Sequence, residues 1–273
     1  MIWLVLLSVV LVLWCVTRFY LAVPDLSEFD HHAQSGIGDD LEPSAEHHDV
    51  LQLLDGISSA GTEASRRNRL TSMRVAMDNM GNQADLTGIT VTSVDAGGVP
   101  AEWVCAGADP DRRLLYIHGG AFTMGSPKSH RVITAKFARM TGMAVLAVDY
   151  RLMPEHKRLA GLADCQTAYR WLLENGPEGP APCAELVIAG DSAGGNLSLA
   201  VIAWARDEQL QAADAVVALS PATDNAFSSP SLMANVATDH MLGPMLGRLV
   251  RLPRSLLLWG SFLNSRVRPC DPR

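Results

Sequence analysis

The stretch "ELVIAGDSAGGNLSLAVIAWARDEQ", residues 185–209, decides the reading of this chain. It begins with a short apolar run, "ELVIAG" at 185–190, of the kind that forms a strand buried on both faces. It ends in "GGNLSLAVIAWARDEQ" at 194–209, which has helical spacing. Between them Gly190-Asp191-Ser192-Ala193-Gly194 fits G-x-S-x-G. Small residues at 190 and 194 let the chain turn tightly from strand into helix, and such a turn lifts the Ser192 hydroxyl clear of the sheet. The helix N-terminus and the Ala193 N–H then face any negative charge that develops beside Ser192. A glycine-rich strand–helix turn around a structural serine is the plain alternative. The strand–turn–helix context favours a nucleophile.

Working outward, a second glycine motif supports that choice. "HGGAF" at 118–122 follows the strand "RLLYI" at 113–117. A glycine pair lets backbone approach a ligand closely and turn its N–H groups toward it. Further buried runs read as strands: "MAVLAVDY" (143–150), "AVVALSP" (215–221) and "SLLLWG" (255–260). "ITVTSV" (89–94) and "AEWVC" (101–105) read as a hairpin across Gly97-Gly98. Helices are expected over 63–80, with Leu70, Met73 and Met77 on one face, and over 126–142 and 162–176. In the second of these Ser126 is a candidate cap, Pro127 suits the first turn and Gly142 ends the helix. Buried strands alternating with helices imply a mostly parallel sheet covered on both faces.

The rest of the chain bounds the function. With 273 residues, 48% of them hydrophobic, there is material for one sizeable core. A net charge of −7 offers no basic field for nucleic acid. Cys15, Cys105, Cys165, Cys183 and Cys270 form no C-x-x-C pair and read as ordinary thiols. The pairs His31-His32 and His47-His48 lie among acids in a polar stretch and read as a solvated linker, so no metal site is expected. Residues 1–23, "MIWLVLLSVVLVLWCVTRFYLAV", carry one charged side chain, Arg18. About 20 apolar residues span a bilayer, so a transmembrane anchor is expected here. A cleaved signal segment, which would leave the protein exported, is the less favoured alternative because no basic residue precedes Arg18. Residues 24–62 read as a linker with short helices.

"HGGAF", "VDYRLMPEH" (148–156), "GDSAGGN" and "SPATD" (220–224) together resemble the hormone-sensitive-lipase-like esterases of the α/β-hydrolase fold. The resemblance runs from about residue 60 to about 260 and implies an eight-stranded sheet under a helical cap. Residues 24–88 would supply a linker and the N-terminal cap helices, residues 89–273 the core, and a segment around 226–252 the rest of the cap. It implies cofactor-free hydrolysis of small or medium acyl esters. Ser192 would be the nucleophile, with N–H groups of Gly119, Gly120, Ala121 and Ala193 forming the oxyanion hole. His118, Tyr150, His156 and Asp224 would be structural.

One part of that pattern is missing. The fold orders its triad Ser, then Asp or Glu, then His. After "SLLLWG" the chain reads Ser261, Phe262, Leu263 and Asn264 where the acid is expected, and no histidine follows. From His240 onward there is one acid, Asp271, against six arginines. These features read as a truncated or frameshifted end, lacking the last strand and helix, and as an impaired esterase. Asp224 with His240 would preserve the triad order, and His130 and His156 precede the serine. A relative that binds an apolar ligand without turnover is the competing function; a scaffold or transport role has only the N-terminal helix behind it. Oligomeric state is not specified by these features.

Overall fold

The computed structural model describes residues 2–19, 42–63, 65, 68–107, 109–223 and 230–243. The chain divides into two units, one of residues 1–55 with 226–266 and one of residues 56–225 with 267–273.

The second unit holds a six-stranded sheet. Its strands are β1 (Thr90–Asp95), β2 (Pro100–Cys105), β3 (Asp109–Ile117), β4 (Met143–Val148), β7 (Glu185–Asp191) and β8 (Ala215–Leu219), in the order β1-β2-β4-β3-β7-β8. A two-residue hairpin, β5 (Asn175–Gly176) with β6 (Gly179–Pro180), stands apart. β2 runs antiparallel to both β1 and β4, while β4, β3, β7 and β8 are mutually parallel. This is the mixed, mostly parallel sheet of an α/β-hydrolase fold. All six residues of β4 are buried, as a strand sandwiched between helical layers requires.

Alternation along the strands separates two cores. On one face Leu115, Ile117, Leu146 and Ile188 pack against Tyr169 and Leu172 of α5 (Arg158–Glu174) and against Leu197 and Val201 of α6 (Ala193–Asp207). On the other, Leu114, Tyr116 and Val145 meet Ala135 and Ala138 of α4 (Arg131–Thr141). α4 starts at Arg131, later than the helix expected from 126, because a separate 3-10 turn over Lys128–His130 takes up the Ser126-Pro127 start. Ser126 Oγ accepts the Ser129 N–H at 3.1 Å while Ser129 Oγ accepts the Ser126 N–H at 2.9 Å. Gly142 closes the helix at φ 65°, donating to the Ala138 carbonyl.

The chain order places the site. From β3 the chain moves to β4 on one side, then returns to β7 on the other, so β3 and β7 are neighbours at a switch of direction. Ile117 pairs with Gly190 at their carboxyl ends. The loops that follow both strands open at the same edge, where parallel sheets form their ligand crevices. α3 (Arg69–Met80) packs beside that edge: Leu70, Met73 and Met77 are half-buried, and Asp78 accepts the Ser126 hydroxyl at 2.6 Å.

In the first unit, α1 (Ile2–Phe19) leads and α7 (Pro230–Ala234) lies in the segment around 226–252. α2 (Ala45–Glu63) starts in this unit and crosses its boundary at Asp55. α2 is one 19-residue helix where short helices are expected. Among the described residues no helix is long and apolar enough to cross a membrane; residues 1 and 20–23 of the segment expected to do so lie outside the described residues. The strand expected at 255–260 lies outside the described residues.

Candidate active site

Ser192 follows the last residue of β7 and caps α6, at φ 50° and ψ −117°. A left-handed φ on a residue with a Cβ costs of order 1–3 kcal/mol and persists only where its surroundings fix it. Here the Ser192 N–H donates to Leu219 of β8 at 2.9 Å, and its carbonyl accepts from Ala222 at 2.9 Å and Asn196 at 3.1 Å. The glycines of the motif answer to close approach. A Cβ on Gly190 would lie 2.6 Å from the Ile117 carbonyl oxygen, and one on Gly194 would run into the carbonyls of Ile117 and His118. Among the described residues, Ser192 Oγ has no hydrogen-bond partner.

The loop after β3 turns sharply beside this elbow. Gly120, Ala121 and Phe122 all have positive φ, at 112°, 54° and 60°. A side chain on Gly120 would collide with the Met124 carbonyl. The expected oxyanion donors are not equivalent. The Gly119 N–H donates to Asp191 Oδ1 at 2.9 Å, so that proton is already spent and Gly119 drops out of the set. The N–H groups of Gly120 and Ala121 have no acceptor among the described residues. Ala193 is the first residue of α6, where an N–H has no intrahelical partner.

Asp191 joins the two loops. Its Oδ1 accepts from Tyr116 Oη at 2.8 Å and from the Gly119 N–H, and lies 3.4 Å from His130 Nε2. Burial alone would raise the Asp191 pKa; the contacts from His130, Tyr116 and Gly119 outweigh it and hold the carboxyl below its ordinary value. His130 Nδ1 is 2.8 Å from Ser129 Oγ, which ties the carboxylate to the start of α4. Behind the loop His118 is fully buried, stacked on Tyr150 with ring centroids 4.3 Å apart, and Tyr150 Oη donates to the His118 carbonyl at 2.8 Å. Burial, with His130 nearby, pushes the His118 pKa down to about 3, so this imidazole is neutral at physiological pH.

The other candidate bases lie elsewhere. His130 is engaged with Asp191 and Ser129, His156 is exposed, and His240 Nδ1 stands 3.5 Å from Asp55 in the first unit. Asp224 lies outside the described residues. Sequence reading missed a further support, Arg74 of α3. It donates to the carbonyls of Thr123 at 2.7 Å and Met153 at 2.9 Å and makes a bidentate pair with Glu155. No motif marks it, because its partners lie 49 to 81 residues away.

A strained serine between a glycine-cushioned strand and helix, with unengaged N–H groups alongside, can attack a carbonyl carbon and stabilise the oxyanion formed. Comparison with known proteins agrees in kind. A family profile described as alpha/beta hydrolase fold matches residues 114–252. An acetyl-hydrolase of Streptomyces hygroscopicus is 36% identical over 182 residues, 65% of this chain and 58% of that one. A carboxylesterase/phospholipase, LipF, of Mycobacterium tuberculosis is 39% identical over 161 residues, 57% of this chain and 40% of that one. The chain thus spans about half the length of these curated relatives. The crystal structure of an esterase from the bacterial hormone-sensitive lipase family superposes with a TM-score of 0.67 at 30% identity, covering 85% of this chain and 73% of that one. With the motifs, the strand order and these relatives in agreement, the chain belongs to the hormone-sensitive-lipase family of esterases and lipases on the α/β-hydrolase fold.

Proposed function

We propose that this chain carries the nucleophile and the oxyanion hole of a serine carboxylic-ester hydrolase acting on small or medium acyl esters. One observation carries the reading: Asp191 locks the strained Ser192 turn to a loop whose Gly120 and Ala121 N–H groups are unengaged among the described residues. Ser192 Oγ would add to the ester carbonyl while Gly120, Ala121 and Ala193 donate to the oxyanion. Collapse would expel the alcohol and leave an acyl-serine for water to hydrolyse. The names of the relatives, an acetyl-hydrolase and a carboxylesterase/phospholipase, support short acyl groups as the place to start.

The proton acceptor is the weak point. Among the described residues no imidazole bonds to Ser192 Oγ, so slow turnover is expected from residues 1–273. This favours a second reading, retention of an apolar ligand without turnover. A fluorophosphonate probe and p-nitrophenyl butyrate test both. Weak labelling confined to Ser192, with slow hydrolysis that is lost in Ser192→Ala, is the expected result. Labelling of a different serine would sink the assignment, and tight binding of the uncleaved ester without labelling would establish the second reading.

We also propose that α1 attaches the chain to a membrane as a retained anchor; the alternative is a cleaved signal segment that leaves the protein exported. Its described side chains are apolar except Ser8 and exposed except Cys15, with Trp3 at 83%, Leu7 at 70% and Phe19 at 74%. Water is a poor solvent for such a cylinder. Fractionation should place the full chain in a salt-resistant membrane pellet, and a soluble chain with an intact N-terminus would refute this.

A further inference from the structure

We infer that Arg158 is a specificity-determining residue that selects esters carrying a second, anionic group. The inference rests on the reading of Ser192 as nucleophile. Arg158 opens α5 and is half-buried. Its guanidinium carbon lies 4.5 Å from the ring centroid of Phe122, the residue that follows Ala121 in the oxyanion loop. Its Nη2 donates to Asn196 Oδ1 at 2.6 Å. The Asn196 N–H donates to the Ser192 carbonyl at 3.1 Å, so this residue is bonded directly to the elbow. The guanidinium therefore contacts one residue that adjoins the oxyanion loop and one that is bonded to the Ser192 backbone.

This cation lacks a carboxylate partner among the described residues. The nearby acid Glu155 is held by both arms of Arg74, and the next two residues along the chain are His156 and Lys157. Asn196 contributes a neutral oxygen, its amide fixed by donation from Nδ2 to the Ala222 carbonyl at 2.9 Å. Burial lowers the Arg158 pKa, as it does for a cation whose desolvation is uncompensated. The remaining N–H groups suit a carboxylate, which guanidinium binds in a fixed, two-pronged geometry. The substrate class is thus an acyl ester bearing a carboxylate or a comparable monoanion a few carbons from the reacting carbonyl. Phe122 gives the intervening methylene groups an apolar surface.

The test separates binding from turnover. Full-length Ser192→Ala protein is titrated calorimetrically with monomethyl adipate and with dimethyl adipate. The half-ester should bind at least about tenfold tighter, and the preference should shrink as salt rises. It should vanish in Ser192→Ala/Arg158→Gln and survive in part in Ser192→Ala/Arg158→Lys. Equal affinity, preference for the diester, no binding of either ester, or a preference that persists in the Gln variant would each overturn the inference. Should the Gln variant not fold, the ratio in the Ser192→Ala chain still decides. Fluorophosphonate labelling of the wild-type chain reports on Ser192 separately. Half-ester preference without labelling would keep Arg158 as an anion site and remove the esterase reading; labelling without preference would do the reverse.

Discussion

Replacing Asp191 by alanine should be among the most costly single changes in the core. The substitution removes the acceptor for Tyr116 Oη at 2.8 Å and for the Gly119 N–H at 2.9 Å, and the charge 3.4 Å from His130. Tyr116 and Gly119 are buried, so the donors left behind are poorly placed to find water, although the Asp191 side chain is itself 24% exposed. An orphaned buried donor costs about 1–3 kcal/mol, and two are created, which places the loss near 2–6 kcal/mol. Against a domain stability of about 5–15 kcal/mol this is a large share. Asp191→Asn keeps one acceptor oxygen and should lose roughly 1–2 kcal/mol. Urea denaturation at pH 7.5 measures both. The folded pKa of Asp191 is lowered, so its contribution is present above the unfolded value of about 3.9 and is lost as pH falls below that. The wild-type advantage over Asp191→Asn should therefore narrow below about pH 4. A loss under about 1 kcal/mol in Asp191→Ala at pH 7.5, or a gap indifferent to acid, would show that the carboxylate does not hold the two loops together.

His118 gives a second pH signature: its folded pKa of about 3 is below the unfolded value, so stability is complete above about pH 6.5 and falls as pH drops. The slope should approach 1.4 kcal/mol per pH unit between about pH 6 and 4, and urea melts of His118→Phe should lack it. Gly194→Ala would drive a methyl group into the carbonyls of Ile117 and His118, so soluble expression should collapse or stability fall by about 2 kcal/mol or more in a denaturant titration. Ala121→Gly relieves a left-handed residue, φ 54°, and should leave stability unchanged or raise it by up to about 1 kcal/mol, read as a shift in the urea midpoint.

What sequence revealed here was whatever sterics and burial dictate locally. The continuous run at 143–148 has to be a central strand, and Gly142 has to end a helix in the left-handed region. Gly190 and Gly194 were legible because a side chain at either position collides with backbone. Long-range polar partners were not legible. Arg113 looks like the solvated start of a strand, yet it is fully buried, its guanidinium satisfied by the carbonyls of Pro110, Leu172, Ala181 and Pro182. β3 accordingly begins at Asp109, ahead of the apolar run. Gly119 was misassigned for the same reason: a glycine pair announces a close backbone approach, but not which N–H already has an acceptor 72 residues away. The end of α5 was placed two residues late, since Asn175 and Gly176 leave the helix to pair with Pro180 and Gly179.

The identity of the residue before the nucleophile then explains why this acid cannot serve as the acid of a triad. Side chains alternate along a strand, so Asp191, the last residue of β7, points away from the face on which Ser192 emerges. It reaches Tyr116, which belongs to the core shared with α4, and His130 at the start of that helix. A triad needs its histidine between acid and serine, with one ring nitrogen on each. His130 instead stands between Asp191 and Ser129, 2.8 Å from the latter, and directs neither nitrogen at Ser192. The Asp191 carboxylate and the His130 imidazole are thus committed to holding the loop after β3. On the proposed reading of Ser192 as nucleophile, its base comes from another element, and any variant that gains turnover by placing a histidine there should leave the Asp191–Tyr116–Gly119 contacts untouched.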